Sequence, residues 1–476
     1  KRRALNSLAA VQNFVLESPV WKNADPGRDS LIKLLTEEYR FWSTEDQLNR
    51  RADIPAMTSA MVRLAALEKE VGRLDQAKRL ANDAKEILSS SKLDSDNVEI
   101  QIASLEVESL LTQLSDLKGE ALNPSLDAFE SSLRQIRIPD LDRRQTIRVA
   151  SVRQSISDYC YHQESRRTLS MAIANHEFFA AMEEQYPDER EFTLLKARSL
   201  SRWALARYKG RFYKEREGNP SREEVHQLYQ TAIKIADRLI EIDYKTYETS
   251  RHLAGFISNE GMLYLRDFHQ GECDFDAVLA HYDKGIAVAD EQLEAYPKNL
   301  LFMEIKGLLL NNKSDALRAG LDFSAEEAAR LEARDLFLHV TEAVSKDGIA
   351  GARRALNLAR LVTNQCLQFK MDEAIRYCRE LEPFSDRMNN DSGFERWVAL
   401  RLMAEDPTLT SEKRKSYDML ACELFSKTMR SDAVLVEYFW EFITTNEAVA
   451  AFRDESKYQA DWETARRKRS ETEQRY

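Results

Sequence analysis

Glycine and proline are scarce in this 476-residue chain, at 14 and 10. At average usage, roughly 7% and 5%, a chain this long would hold about twice as many of each. Sheets and long loops draw on both residues for their turns, so the shortage argues against an all-β or α/β chain. Cysteine is also sparse: Cys160, Cys273, Cys366, Cys378 and Cys422. The odd count and the lack of any CxxC pair exclude a disulfide framework, leaving buried or incidental thiols. No apolar run approaches the roughly 18 residues of a membrane span. The nearest candidate, Ala433 to Phe452, is broken by Glu437, Glu441 and Glu447. An excess of positive charge is missing too. The 69 Lys+Arg face 80 Asp+Glu, for a net charge of −11. That balance disfavours a broad nucleic-acid footprint and leaves room only for a local basic patch. The chain opens Lys1-Arg2-Arg3 with neither a starting Met nor a signal peptide, which suggests a fragment of something longer.

What is present is helical. The chain is 43% apolar and 31% charged, with 20 Phe, 17 Tyr and 6 Trp available for burial, so disorder is not expected. Met61, Val62, Leu64, Ala65, Leu67, Glu68 and Val71 follow spacings of three and four, one face of a helix. Gly72-Arg73-Leu74-Asp75 breaks the run, and Ala77, Leu80, Ala81, Ala84, Ile87 and Leu88 begin a second face. Further on the chain repeats itself. Tyr229, Ala232, Ile233 and Ala236-Asp237 match Tyr282, Gly285, Ile286 and Ala289-Asp290 at an offset of 53 residues. Small residues keep the register at Ala254 and Gly307, then Gly261 and Ser314, and an earlier copy offset by 57 supplies Ala197 and Ala204. Glu184-Gln-Tyr-Pro187 recurs as Glu294-Ala-Tyr-Pro297. The small residues are the expected points of contact between neighbouring helices.

Self-similarity at a fixed period marks a helical solenoid. Met61, Leu64, Ala65, Gly72, Ala77 and Ala84 fill the slots of one tetratricopeptide repeat, with Glu68 in the usual Tyr slot and Ser89 in the closing Pro slot. The chain thus resembles that family, whose fold implies an all-α superhelical solenoid of antiparallel helix pairs. A period of 53–57 residues exceeds the standard unit, so some helices or turns are expected to be extended. Another unit is expected from Leu358 to Leu381, with Lys370-Met-Asp-Glu-Ala374 opening its second helix, and Tyr438-Phe-Trp-Glu-Phe442 reads as a capping helix. The resulting division is a helical hairpin over 1–53, tetratricopeptide-like pairs over 54–140, long-period repeats over 141–345, and C-terminal repeats with capping helices over 346–476.

The first forty or so residues carry an Ala-Val-x-x-Phe core ending at Phe14, a Pro26-Gly27 break, an Arg28-x-x-Leu-x-x-Leu-Leu35 helix and an aromatic end at Tyr39, Phe41 and Trp42. This segment and the repeats after it resemble the region following the membrane span in bacterial membrane-anchored Ser/Thr protein kinases. The resemblance implies a C-terminal region tethered through a missing upstream segment, in a protein whose kinase domain lies elsewhere. Within this chain there is no G-x-G-x-x-G, no catalytic His-Arg-Asp and no Asp-Phe-Gly, so no catalysis is expected of it.

Other constellations are weak. Glu223-x-x-His226 has a di-iron spacing but stands alone, and is expected to be a solvated helix face. Neither HExxH nor G-x-S-x-G occurs, so no metal or other cofactor is expected. Arg134, Arg137, Arg143, Arg144, Arg148 and Arg153 form one basic stretch. Arg202, Trp203, Arg207, Tyr208, Lys209, Arg211, Phe212, Tyr213 and Lys214 form a second, interleaved with aromatics. Together they could hold a single strand of nucleic acid. With the net charge of −11 they read instead as amphipathic helices with solvated charges. The stronger candidate is positional. Five residues after Ala197, Ala254 and Gly307 come Arg202, Asn259 and Asn312, preceded by Ser201, Ser258 and Asn311. Asn is a mediocre helix former, so its recurrence in mid-helix wants a reason. An amide both donates and accepts, so a ladder of Arg202, Ser258, Asn259, Asn311 and Asn312 could hold a peptide backbone. The sequence therefore points to a non-catalytic module for a protein or peptide ligand; a nucleic-acid-binding repeat and a helical-toroid enzyme are the alternatives.

Overall fold

A computed structural model of the chain describes residues 54–430 apart from 71–72, 91–96, 116, 118, 164–166, 213–221, 245, 344–348 and 388–392, together with residues 33, 36 and 37. The expected hairpin over 1–53, save those three helical residues, and the expected capping helix at Tyr438–Phe442 lie outside the described residues. Among the described residues there are sixteen α-helices and no strand. They begin with α1 (Ile54–Glu70), α2 (Leu74–Ser90), α3 (Val98–Leu114), α4 (Asn123–Gln135) and α5 (Arg143–His162). The long-period region holds α6 (Thr168–Gln185), α7 (Arg190–Phe212), α8 (Arg222–Glu241), α9 (Thr246–His269), α10 (Phe275–Ala295) and α11 (Leu300–Ala319). Then come α12 (Phe323–Ala343), α13 (Ile349–Leu367), α14 (Met371–Leu381), α15 (Gly393–Glu405) and α16 (Ser411–Arg430).

The chain divides into two compact units. One comprises 1–273 with 280–305, and the other 274–279 with 306–476. In the first unit consecutive helices pack on one another at α1 on α2, α2 on α3, α3 on α4, α5 on α6, α6 on α7, α7 on α8 and α8 on α9. Odd-numbered helices also touch in series, α1 with α3, α3 with α5, α5 with α7 and α7 with α9. In the second unit α12 packs on α13, α13 on α14, α15 on α16, and α13 on α15. Contacts between helices one and two apart in sequence are those of stacked hairpins, the all-α tetratricopeptide-like arrangement that the period predicts.

The first pair follows its sequence closely. Met61, Leu64, Ala65, Ala77, Leu80, Ala81 and Ala84 are all buried. Glu68, in the slot where the resembled repeat holds Tyr, is buried as well, and Arg73 reaches its carboxylate at 3.3 Å. The long period has its explanation in helix length. α1 and α2 have 17 residues each, whereas α8 has 20 and α9 has 24. The extra residues extend helices rather than loops.

Small residues do set the close approaches. A Cβ built on Gly261 of α9 would stand 2.4 Å from the ring of Tyr282, and one on Gly307 would stand 2.9 Å from Phe337. Ala197, Ala204, Ala254 and Ser314 have no exposed surface. The repeated Tyr-Pro ends helices in the same way twice. The Tyr186 amide donates to the Met182 carbonyl and the Tyr296 amide to that of Gln292. The Glu189 and Asn299 amides then close turns onto Tyr186 and Tyr296. Proline excludes the preceding residue from the helical region, which makes this dipeptide a stop signal. The thiols are structural: Cys160 and Cys366 are buried and pushed up to about 12 by desolvation, and Cys378 is also raised by burial.

Candidate functional site

The Ser/Asn doublets lie on α7, α9 and α11, and the two members of each differ in exposure. Ser201, Ser258 and Asn311, the first members, are all buried. Arg202, Asn259 and Asn312, the second members, are partly exposed. Adjacent residues on a helix are about 100° apart, so one turns inward where the other stays at the surface.

Asn311 does structural work. Asn311 Oδ1 accepts from Asn357 Nδ2 at 2.7 Å and lies 3.5 Å from Arg330 Nη1. Arg330 is fully buried and pairs with fully buried Glu326 at 2.6 Å and with Asp315 at 2.7 Å. Arg318 adds a second cation to Glu326 at 2.7 Å, and Asn364 donates to the same carboxylate at 2.9 Å. Burial would raise the Glu326 carboxyl, but Arg318 and Arg330 hold it below the ordinary range. The recurring mid-helix amide at 311 thus has its reason inside the protein, in a polar network that keeps buried charges paired. Ser258 and Asn311 also fall in different compact units. Of the outward members, Arg202 is committed: its Nη2 meets Asp158 at 2.7 Å and its guanidinium lies 4.4 Å from the Tyr161 ring centre. Burial pushes the Asp158 carboxyl up, yet Arg202 and Arg198 bring it down to about 2. Asn259 and Asn312 are partly exposed.

Most described arginines of the first basic stretch are taken by carboxylates. Arg134 meets Glu130 at 3.4 Å, Arg137 meets Asp140 at 3.2 Å, and Arg143 pairs with Glu189. Arg148 meets Glu99 at 2.7 Å and Glu106 at 2.8 Å. Arg144, which is exposed, and Arg153 are the exceptions among the described residues; Arg153 has an amide and a carbonyl as its hydrogen-bond acceptors. In the second stretch Arg207 meets Glu224 at 3.4 Å and lies 5.3 Å from the Trp203 ring centre. Tyr213 and Lys214 lie outside the described residues. Paired arginines release few counter-ions on meeting a phosphate backbone, which removes most of the support for a nucleic-acid surface here.

The Glu223-x-x-His226 motif separates likewise. Glu223 is exposed, as a solvated face requires, but His226 turns inward. Its Nδ1 lies 3.1 Å from Glu260 and its Nε2 2.8 Å from Asp267, two buried carboxylates of α9. Arg222 meets Asp267 at 2.8 Å, and His281 of α10 stands 3.7 Å from Glu260. Burial lowers the His226 ring, but the hydrogen bonds to Glu260 and Asp267 raise it above its ordinary value overall. Sequence reasoning missed this cluster because its members come from three helices; the available signal was Glu260 and Asp267, seven residues apart on one face of α9. Among the described residues no group of His, Cys, Asp and Glu is placed to hold a metal ion. No helix among them is long and apolar enough to cross a membrane.

No protein-family model matches the sequence, and no curated protein does. Among solved structures, the apo form of RapI is similar over 87% of this chain and 99% of that chain, at 12% identity and a TM-score of 0.47. The human IFIT1 dimer with PPP-AAAA is similar over 91% and 99%, at 10% identity and a TM-score of 0.26. The human IFIT1 dimer with m7Gppp-AAAA covers the same shares at 10% identity and a TM-score of 0.25.

Proposed function

We propose that the chain is a non-catalytic binding module whose helix pairs take an extended peptide or a protein segment. One observation supports this reading: in each unit a Ser/Asn doublet, on α9 in the first and on α11 in the second, buries its first member and leaves a partly exposed amide, Asn259 or Asn312. An amide can donate to a backbone carbonyl and accept from a backbone N–H, which suits a ligand held by its main chain. By the resemblance of its sequence, the module is the C-terminal part of a bacterial membrane-anchored Ser/Thr kinase, where it recruits substrates or senses a ligand for the kinase.

The test begins with selection of peptides on the immobilised chain. Replacing either Asn259 or Asn312 by Ala removes an amide contact at about 0.5–1.5 kcal/mol, so affinity for a peptide selected on that unit falls about three- to tenfold. The melting curve stays where it was. Undiminished affinity rules out these amides as the contact. The open reading frame upstream of Lys1 tests the parentage, which requires a kinase domain and a membrane span there.

A further inference from the structure

A cleft in the first unit, bounded by α4, α5 and α6, joins an apolar wall to a cation that no described carboxylate approaches within 4 Å. Its volume is about 510 Å³, and Phe129, Leu133, Ile136, Ile138 and Met171 line it. Arg153 of α5 stands in the same wall. Several buried or half-buried arginines have carboxylates within 4 Å: Arg148 has Glu106, Arg202 has Asp158, Arg330 has Glu326 and Arg354 has Glu380. Arg153 has none among the described residues. Its Nε donates to Asn175 Oδ1 at 3.2 Å, its Nη2 lies 3.3 Å from the Ala174 carbonyl, and the Phe178 ring centre is 4.5 Å from the guanidinium carbon. A guanidinium has five N–H donors, so most of the fork has no protein acceptor. The acid on the cleft wall, Glu130, is already held by Arg134 at 3.4 Å and Arg167 at 3.0 Å.

Burial pushes the Arg153 guanidinium down to about 10 against the pull of Glu130, which still leaves it charged at neutral pH. Desolvating a charge whose nearest acid is shared with two other arginines is costly, and an arriving carboxylate recovers part of that cost through a paired fork. The neighbouring apolar wall asks for an aliphatic or aromatic group on the same ligand. Ser170, exposed on the rim, donates its hydroxyl to the Arg167 carbonyl at 2.9 Å, so its oxygen keeps lone pairs for a peptide N–H. A purely aliphatic acid has no N–H to offer it.

We propose that this cleft binds the free C-terminus of a peptide that ends in a bulky apolar residue. The carboxylate sits on the Arg153 fork and the last side chain lies against the Phe129, Leu133 and Met171 wall. The assignment rests on the preceding reading only in taking a peptide as the ligand, and it uses residues that reading does not.

The probes are acetyl-Ala-Ala-Leu-Phe with a free carboxylate, the same peptide as its amide, and decanoate, titrated calorimetrically into the whole chain. The free acid is expected to bind at least tenfold more tightly than the amide. Arg153→Met keeps the aliphatic stem and erases that difference. Ser170→Trp, at an exposed position, fills the rim and abolishes binding of the acid even where Arg153→Met fails to fold. Asn259→Ala with Asn312→Ala leaves the acid-to-amide ratio unchanged. Equal binding of acid and amide, or no binding of the acid, overturns the cleft assignment without touching the amide contacts proposed above. Decanoate binding as tightly as the acid peptide overturns the peptide and makes the ligand an aliphatic acid.

Discussion

Asn311 and Asn312 are neighbours with opposite surroundings, and substitutions should separate them. Asn311→Ala removes the acceptor that Asn357 reaches at 2.7 Å inside a buried network, so it should cost about 1–3 kcal/mol in urea unfolding. Asn312→Ala, at a partly exposed position, should stay within about 0.5 kcal/mol of the parent. The histidines separate in the same way under pH. Burial, with help from Arg198, brings His252 down to about 4 in the folded chain, against roughly 6.5 when unfolded. Between those values the unfolded state binds the proton and the folded state does not, so acidification through this window favours unfolding. The loss should be on the order of 2–3 kcal/mol between pH 7 and pH 4. His226 runs the other way. Its raised value favours the charged ring in the folded state, a contribution complete below about 6.5 and lost as pH rises through the folded value. Melting temperatures read from pH 7.5 to pH 4.5 should therefore fall less on the acid side in His252→Leu and more in His226→Gln.

At the scale of the element, several helices end without the glycine their geometry favours. The backbone is left-handed at Asp243 (φ 53), Leu321 (φ 62) and Phe369 (φ 58), as it is at Gly271 (φ 72). In all four turns the next amide reaches back to close the helix: Tyr244 to Leu239, Asp322 to Leu317, Lys370 to Gln365 and Glu272 to Asp267. A side chain in this conformation costs about 1–2 kcal/mol, which glycine does not incur. Leu321 and Phe369 are 74% and 69% exposed, so little packing offsets the strain. Leu321→Gly and Phe369→Gly should each raise stability by about 0.5–1 kcal/mol in urea titrations. Two glycines of α9 give the converse comparison. Gly261→Ala forces a methyl toward the Tyr282 ring and should cost about 1–3 kcal/mol, whereas a methyl on Gly255 would meet nothing within 4 Å and Gly255→Ala should gain up to about 1 kcal/mol. The Gly261 contact was legible in the sequence, because a small residue recurring at constant offset opposite a recurring Tyr has few other meanings. The break at Lys370 was legible as well, and the next helix does begin at Met371, but the left-handed backbone at Leu321 and Phe369 was not, because neither residue favours it. Nor was the pairing of Glu326 with Asn364 or of Arg148 with Glu99, since composition counts charges without saying which helix faces which. Treating charge as solvated fails most plainly at Arg330 and Glu326, neither of which has exposed surface.

For the whole molecule, the way charge is spent bears on its partners. A net charge of −11 repels a polyanion at long range, and only locally unpaired cations could overcome that. Arg134, Arg137, Arg143, Arg148, Arg202 and Arg207 each have an acidic neighbour inside the fold. To bind phosphates they would have to exchange one anion for another, with little counter-ion release to drive it. A protein making about six phosphate contacts loses roughly 10³ in affinity between 50 and 200 mM salt, so a nucleic-acid surface announces itself by that slope. A fluorescent single-stranded oligonucleotide titrated with the chain at about 50 mM salt should show no anisotropy change that collapses at about 200 mM. Breaking the pairing is the control: Glu99→Gln with Glu106→Gln frees Arg148 and removes two negative charges, and should strengthen whatever weak salt-dependent binding exists. A steep slope in the parent chain would instead mean that surface cations other than the paired ones carry a footprint, and would return the nucleic-acid reading to first place.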